Sequence, residues 1–202
     1  MPLQIVRNDI TKMKVDAIVN AANSGMTGCY VPNHRCIDNC IHTFAGVQLR
    51  QDCAALMAEQ GHEEPTGQAK ITAAYNLPCR YVLHTVGPII YGRVTEKDCE
   101  LLAGSYRSCL ELAAQNHLES VAFCCISTGE FHFPKERAAG IAVQTVRDFL
   151  QKEEKKETSC NVPKMESKDK IFDKFYHEEL SQNEIAKIII KKDKEKILAE
   201  LL

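Results

Sequence analysis

The chain has 202 residues, 45% of them apolar, enough for one domain with a substantial core. Its formal net charge of -2 provides no general attraction for nucleic acid or an anionic membrane, so neither is expected as a partner. No apolar run approaches the roughly 18 to 20 residues that span a bilayer, and Met1-Pro2-Leu3-Gln4-Ile5-Val6-Arg7 reads as a strand rather than a signal peptide. A cytoplasmic setting is expected. There, ten cysteines point to core residues, metal ligands or redox groups rather than to a disulfide framework.

Residues 3–7 read as a first strand and 16–20 as a second, ending in Ala21-Ala22-Asn23-Ser24-Gly25. The Gly- and Pro-containing polar stretch through Cys36 predicts a long loop. Ile37, Ile41, Ala45, Leu49, Cys53 and Leu56 recur at helical spacing and predict one helix, with Gly61 and Pro65 beyond its end. Strands follow over 69–73 and 81–86, separated by a turn at Asn76-Leu77-Pro78, and then a helix over 96–115. Residues 120–126 read as a central strand with Cys124 and Cys125 as small core fillers. A loop over 127–134 and a helix over about 135–150 complete this part.

The last fifty or so residues differ in character. Lys152-Glu153-Glu154-Lys155-Lys156-Glu157 reads as a solvated helix end or linker. Ile171, Phe172, Phe175, Tyr176 and Leu180 fit a short amphipathic helix, Ile188-Ile189-Ile190 a closing strand, and 195–202 a terminal helix.

Strands alternating with helices predict a three-layer α/β/α domain over 1–202, with a central mixed, largely parallel sheet. Ligands bind such sheets at the carboxyl ends of strands. The loops 20–36 and 127–134 both leave strands at that kind of end, which makes them two walls of one cleft.

The first wall carries Gly28-Cys29-Tyr30-Val31-Pro32-Asn33-His34-Arg35-Cys36-Ile37-Asp38. Two thiolates and an imidazole at Cys29, His34 and Cys36 suit zinc and leave a fourth position open. Unrelated loop residues, or a Cys29–Cys36 disulfide, explain the spacing equally well. Cys40 is a rival ligand four residues after Cys36, although its apolar surroundings favour a core role. Asp38, at a helix start, is either a general base or a complement to the helix dipole. Asn23 holds a ribose hydroxyl or merely closes its loop.

The second wall, Ser127-Thr128-Gly129-Glu130-Phe131, is a phosphate cradle of backbone amides or an ordinary turn. Asp9 accepts from a base amine or caps a turn. Lys70 and His84 read as partly exposed strand-end residues without a catalytic role.

Taken in order, several segments resemble the macrodomain family. They are Asn8-Asp9-Ile10-Thr11-Lys12, Val15-Asp16-Ala17-Ile18-Val19-Asn20-Ala21-Ala22-Asn23, Pro65-Thr66-Gly67-Gln68-Ala69-Lys70-Ile71-Thr72, Tyr75-Asn76-Leu77-Pro78, Tyr81-Val82-Leu83-His84-Thr85-Val86-Gly87-Pro88 and Ile126-Ser127-Thr128-Gly129. The usual glycine-rich run after Asn-Ala-Ala-Asn is replaced by the loop from Cys29 to Asp38, which resembles the zinc-dependent branch found largely in microbes.

That resemblance implies a zinc ion on Cys29, His34 and Cys36, and hydrolytic removal of mono-ADP-ribose from protein side chains, as Asp or Glu esters. The branch is associated with a sirtuin-type transferase and a lipoate-carrier protein as the modified partner. By position, Asp9 would bind the adenine amine and Ile10 would lend a backbone contact. Ser127, Thr128, Gly129, Glu130 and Phe131 would wrap the diphosphate, with Phe131 against the distal sugar. Asn23 and Asp38 would hold or activate groups at the distal ribose. The ion would orient a ribose hydroxyl, polarise the leaving carboxylate or acidify a water. A non-catalytic ADP-ribose reader and an O-acetyl-ADP-ribose deacetylase are the alternatives. The tail departs from the family: residues 152–182 read as an inserted or divergent segment, and Ile188-Ile189-Ile190-Lys191-Lys192-Asp193 offers no aromatic to cover the adenine.

Overall fold

The computed structural model describes residues 3–158 and 186–191. Six strands, β1 (Leu3–Arg7), β2 (Ala17–Ala21), β3 (Ala69–Ala73), β4 (Tyr81–Thr85), β5 (Ser120–Phe123) and β6 (Ala186–Lys191), form one sheet in the order β1-β6-β5-β2-β4-β3. The helices are α1 (Ile37–Ala45), α2 (Val47–Gln60), α3 (Glu96–Gln115) and α4 (Lys135–Thr158). A 3-10 turn, Ile10–Lys12, follows β1.

The sheet is mixed, as expected, but it is not largely parallel. Parallel pairing is confined to the centre, where β2 lies between β4 and β5. β1–β6, β5–β6 and β3–β4 are antiparallel. Two of these antiparallel pairs arise from β6, which inserts between β1 and β5, and the third from the β3–β4 edge.

Ala17, Ile18, Val19 and Asn20 are all buried, so β2 is covered on both faces. Register and contacts identify the two covers. Asn20 is level with His84 across the β2–β4 pair, and the Asn20 side chain reaches Asp38 of α1. On the opposite face, Tyr106 of α3 packs on Phe123 of β5 with ring centroids 5.3 Å apart, and its hydroxyl accepts from the Ile126 amide. α1 and α2 therefore form one outer layer and α3 the other, with α4 packed beside α3.

The single helix expected over 37–56 is two helices broken at Gly46. That residue has φ of 97°, and a Cβ on it would lie 2.8 Å from Asn76 Nδ2. The apolar stripe runs across the break, which is why periodicity alone does not reveal it. α3 begins at a capping box in which Thr95 Oγ1 accepts from the Asp98 amide and Asp98 accepts from the Thr95 amide. α4 continues to Thr158 rather than ending near 150, so the charged run lies within the helix. The central strand expected over 120–126 stops at Phe123. The expected closing strand is present as β6, whereas the helices expected around 171–180 and over 195–202 lie outside the described residues.

Candidate active site

The loop 22–36 leaves the carboxyl end of β2 and is held from behind. Met26 is buried with Ala22 and Val86, and has φ of 60°. Gly28 also has positive φ, and a Cβ on it would lie 2.6 Å from Cγ of His42, so only glycine lets the loop descend onto that ring. Asn39 Nδ2 donates to the carbonyls of Cys29 and Val31, at 3.1 Å each. The Arg50 guanidinium donates to the Thr27 carbonyl and lies 4.3 Å from the centroid of the Tyr30 ring.

These restraints gather Cys29, His34 and Cys36, whose ligand atoms lie within 4.8 Å of one another. Cys29 Sγ is 3.5 Å from His34 Nδ1, and Cys36 Sγ accepts from the Asn39 amide at the start of α1. Both thiols are free. Cys40 stands outside the group and its amide donates to the Cys36 carbonyl. Burial pushes the Cys36 thiol up to about 11, with neighbouring Cys29 adding to the rise.

The loop 124–134 follows β5 and is a backbone structure. Ser127 has φ of 65°, the Phe133 amide donates to its carbonyl, and the His132 amide donates to that of Gly129. No hydrogen bond from the amides of Gly129, Glu130 or Phe131 is found among the described residues. The Ser127 hydroxyl is buried without a hydrogen-bond partner among them. It sits against Gly87, where a Cβ would come within 2.1 Å of Ser127 Oγ. The Ile90 amide donates to the Phe131 carbonyl and ties the loop after β4 to this wall. The two walls meet where His34 Nε2 lies 3.5 Å from Glu130 Oε1.

Between them lies Asp38, the second residue of α1 and 4% exposed. Its Oδ1 accepts from Asn20 Nδ2 at 2.8 Å and its Oδ2 from Asn23 Nδ2 at 3.3 Å. Burial raises its pKa to about 6 against the lowering effect of the Asn20 bond. Asn23 is fixed at its other end, where Oδ1 accepts from the Gly25 amide. Asp9 stands apart on the 3-10 turn and caps it, its Oδ1 accepting from the Thr11 amide and hydroxyl, while Ile10 behind it is buried.

The floor of the site is built from residues that the sequence does not single out. His84 is fully buried rather than a partly exposed strand end, and its ring contacts Asn20, Thr72 and Cys53. His42 lies beside it with ring centroids 5.9 Å apart. Lys70 pairs with the buried Glu64 at 3.1 Å. Among these, Ile41-His42 inside an apolar stripe was the one available signal that a polar group faces the core.

The Macro domain family model matches residues 19–142. The chain belongs to the macrodomain family. A protein-ADP-ribose hydrolase of Treponema medium is 72% identical over 146 residues, covering 72% of this chain and 56% of that protein. A variant of the Oceanobacillus iheyensis macrodomain solved with ADPR matches with a TM-score of 0.65 and 41% identity, covering 71% of this chain and 75% of the other. The Trypanosoma brucei macrodomain in complex with ADP-ribose matches with a TM-score of 0.62 and 40% identity over 72% of this chain and 56% of its own. This macrodomain spans about half the length of the protein-ADP-ribose hydrolases it matches. No helix among the described residues is long and apolar enough to cross a membrane.

Proposed function

We propose that this macrodomain is a zinc-dependent hydrolase that removes mono-ADP-ribose from modified protein side chains, as Asp or Glu esters. The observation that carries the proposal is the convergence of Cys29, His34 and Cys36 on one point at the edge of the cleft that holds Asp38 and Asn23. The donor set fits the ion. Two thiols share a small volume, and burial and their proximity oppose ionisation of Cys36 unless a cation offsets the charge. His34 would bind through Nδ1, the nitrogen that faces Cys29, leaving Nε2–H toward Glu130 as an orienting outer contact. When bound, zinc supplies Lewis-acid stabilisation of negative charge at the distal ribose.

The chain's own residues do the rest. Asp9 accepts from the adenine amine and the Ile10 backbone lies alongside the base. The Ser127 hydroxyl and the backbone of Thr128, Gly129, Glu130 and Phe131 hold the diphosphate, whose charge their amides can satisfy. Phe131 packs on the distal sugar. Asn23 holds a ribose hydroxyl, and Asp38 assists the attacking water as general base, with a raised pKa that suits that task near neutral pH. We place the reaction in the cytoplasm, with an ADP-ribosylated lipoate-carrier protein, modified by a sirtuin-type transferase, as the substrate that the family resemblance implies.

A non-catalytic ADP-ribose reader is favoured by one observation, that both Asp38 oxygens already accept bonds from asparagine side chains. Metal analysis with a hydrolysis assay on Asp- or Glu-modified protein separates the two readings. We expect stoichiometric zinc and turnover that a chelator abolishes. Full activity in metal-free protein would sink the zinc mechanism, and tight ADP-ribose binding without turnover would establish the reader. O-acetyl-ADP-ribose as a parallel substrate tests deacetylation in the same cleft.

A further inference from the structure

Asn20, at the centre of the sheet, is 0% exposed, and its amide nitrogen has two hydrogens to place. One goes to Asp38 Oδ1 at 2.8 Å, and the other faces His84 Nδ1 at 3.1 Å. The reverse orientation would set the Asn20 carbonyl against the Asp38 carboxylate, acceptor to acceptor. His84 Nδ1 is therefore an acceptor, and its proton sits on Nε2, which donates to Thr72 Oγ1 at 2.9 Å. Burial, with His42 adding to it, pushes His84 down to about 3 and keeps the ring neutral.

A line of side chains thus runs from Thr72 on β3 through His84 and Asn20 to Asp38, and from Asp38 Oδ2 to Asn23. Packing alone does not account for it. Asn20 Oδ1 is buried without a hydrogen-bond partner among the described residues, and an unmatched buried carbonyl costs stability that an apolar side chain would avoid. What the line does provide is a fixed direction for the Asp38 carboxylate.

We propose that Asn20 and His84 are positioning residues, which hold the carboxylate of Asp38, and through it Asn23, in the orientation that cleavage at the distal ribose uses. The proposal rests on the hydrolytic reading above. Both side chains are fully buried, so their loss should act on turnover more than on affinity for ADP-ribose.

The test pairs kinetics with the His84 tautomer read by long-range 15N–1H NMR. In the wild-type protein we expect the Nε2–H form alone, and in Asn20→Leu a mixture of both forms. Asn20→Leu should lose about 10²-fold in kcat, the scale of a misplaced catalytic group, while the ADP-ribose Kd stays within about threefold. His84→Asn places a carbonyl where Nδ1 stood and should retain most of the turnover. His84→Gln reaches the Nε2 position instead and should fall with Asn20→Leu. These two variants also guard against simple misfolding, since both remove the same ring. Equal turnover in the Asn and Gln variants, or an Nδ1–H tautomer in the wild type, would overturn the proposal. Absence of wild-type turnover would sink the hydrolytic reading, whereas a tautomer unmoved by Asn20→Leu would sink the relay whatever the turnover, so the two failures are distinct.

Discussion

The two walls of the cleft leave neighbouring parallel strands, yet they are built from different chemistry. The 22–36 wall presents side chains, and other side chains hold it in place: Asn39 and Arg50 on its carbonyls and His42 beneath Gly28. The 124–134 wall presents backbone, shaped by the positive φ of Ser127 and by the space that Gly87 leaves. One cleft can thus separate its tasks between two walls. Under the proposed function, soft donors at one side would address the reacting end of ADP-ribose, while amides at the other would address its charge. Mutations on one wall should therefore spare the other's property.

The largest expected effect comes from Cys36→Ser. Serine keeps an acceptor for the Asn39 amide at the helix start but removes a soft ligand. Turnover should fall by about 10²-fold or more, while calorimetry shows ADP-ribose affinity within about threefold of the parent. A matching loss of affinity would mean that the walls are not separable. Gly87→Ala tests the opposite side. Its Cβ would displace Ser127, weaken ADP-ribose binding by about tenfold, or 1.4 kcal/mol, and leave zinc content unchanged by elemental analysis. Asn39→Ala releases the Cys29 and Val31 carbonyls. It should cost about 1–2 kcal/mol in urea unfolding and about tenfold in zinc retention against a chelator. Smallest is Arg50→Lys, where the planar contact over Tyr30 is lost for about 0.5–1 kcal/mol of thermal stability. ADP-ribose binding should be unaffected there.

Much of this division is legible in the chain itself. The strands stand out because Ala17-Ile18-Val19 and Val121-Ala122-Phe123 are short continuous apolar runs, as strands covered on both faces require. Cys29, His34 and Cys36 are close in sequence, so their meeting needs only one loop. The floor was not legible. His84 contacts Asn20, Thr72 and Cys53, which come from three other elements, and nothing local to a histidine in a strand distinguishes a buried ring from an exposed one. Asp38 shows the same limit: a carboxylate in a first helical turn usually complements the dipole in solvent, but here two asparagines from the preceding strand and loop make burial tolerable. The break at Gly46 escaped because the apolar stripe continues through it, and the close approach of Asn76 is a tertiary event.

The central claim is that the 22–36 loop is a metal centre. X-ray absorption at the zinc edge on purified protein tests that directly. The expected shell is two sulfurs at about 2.3 Å and one nitrogen at about 2.0–2.1 Å, completed by one light ligand. A purified, active protein without zinc, or with zinc in a shell of nitrogen and oxygen alone, would contradict it.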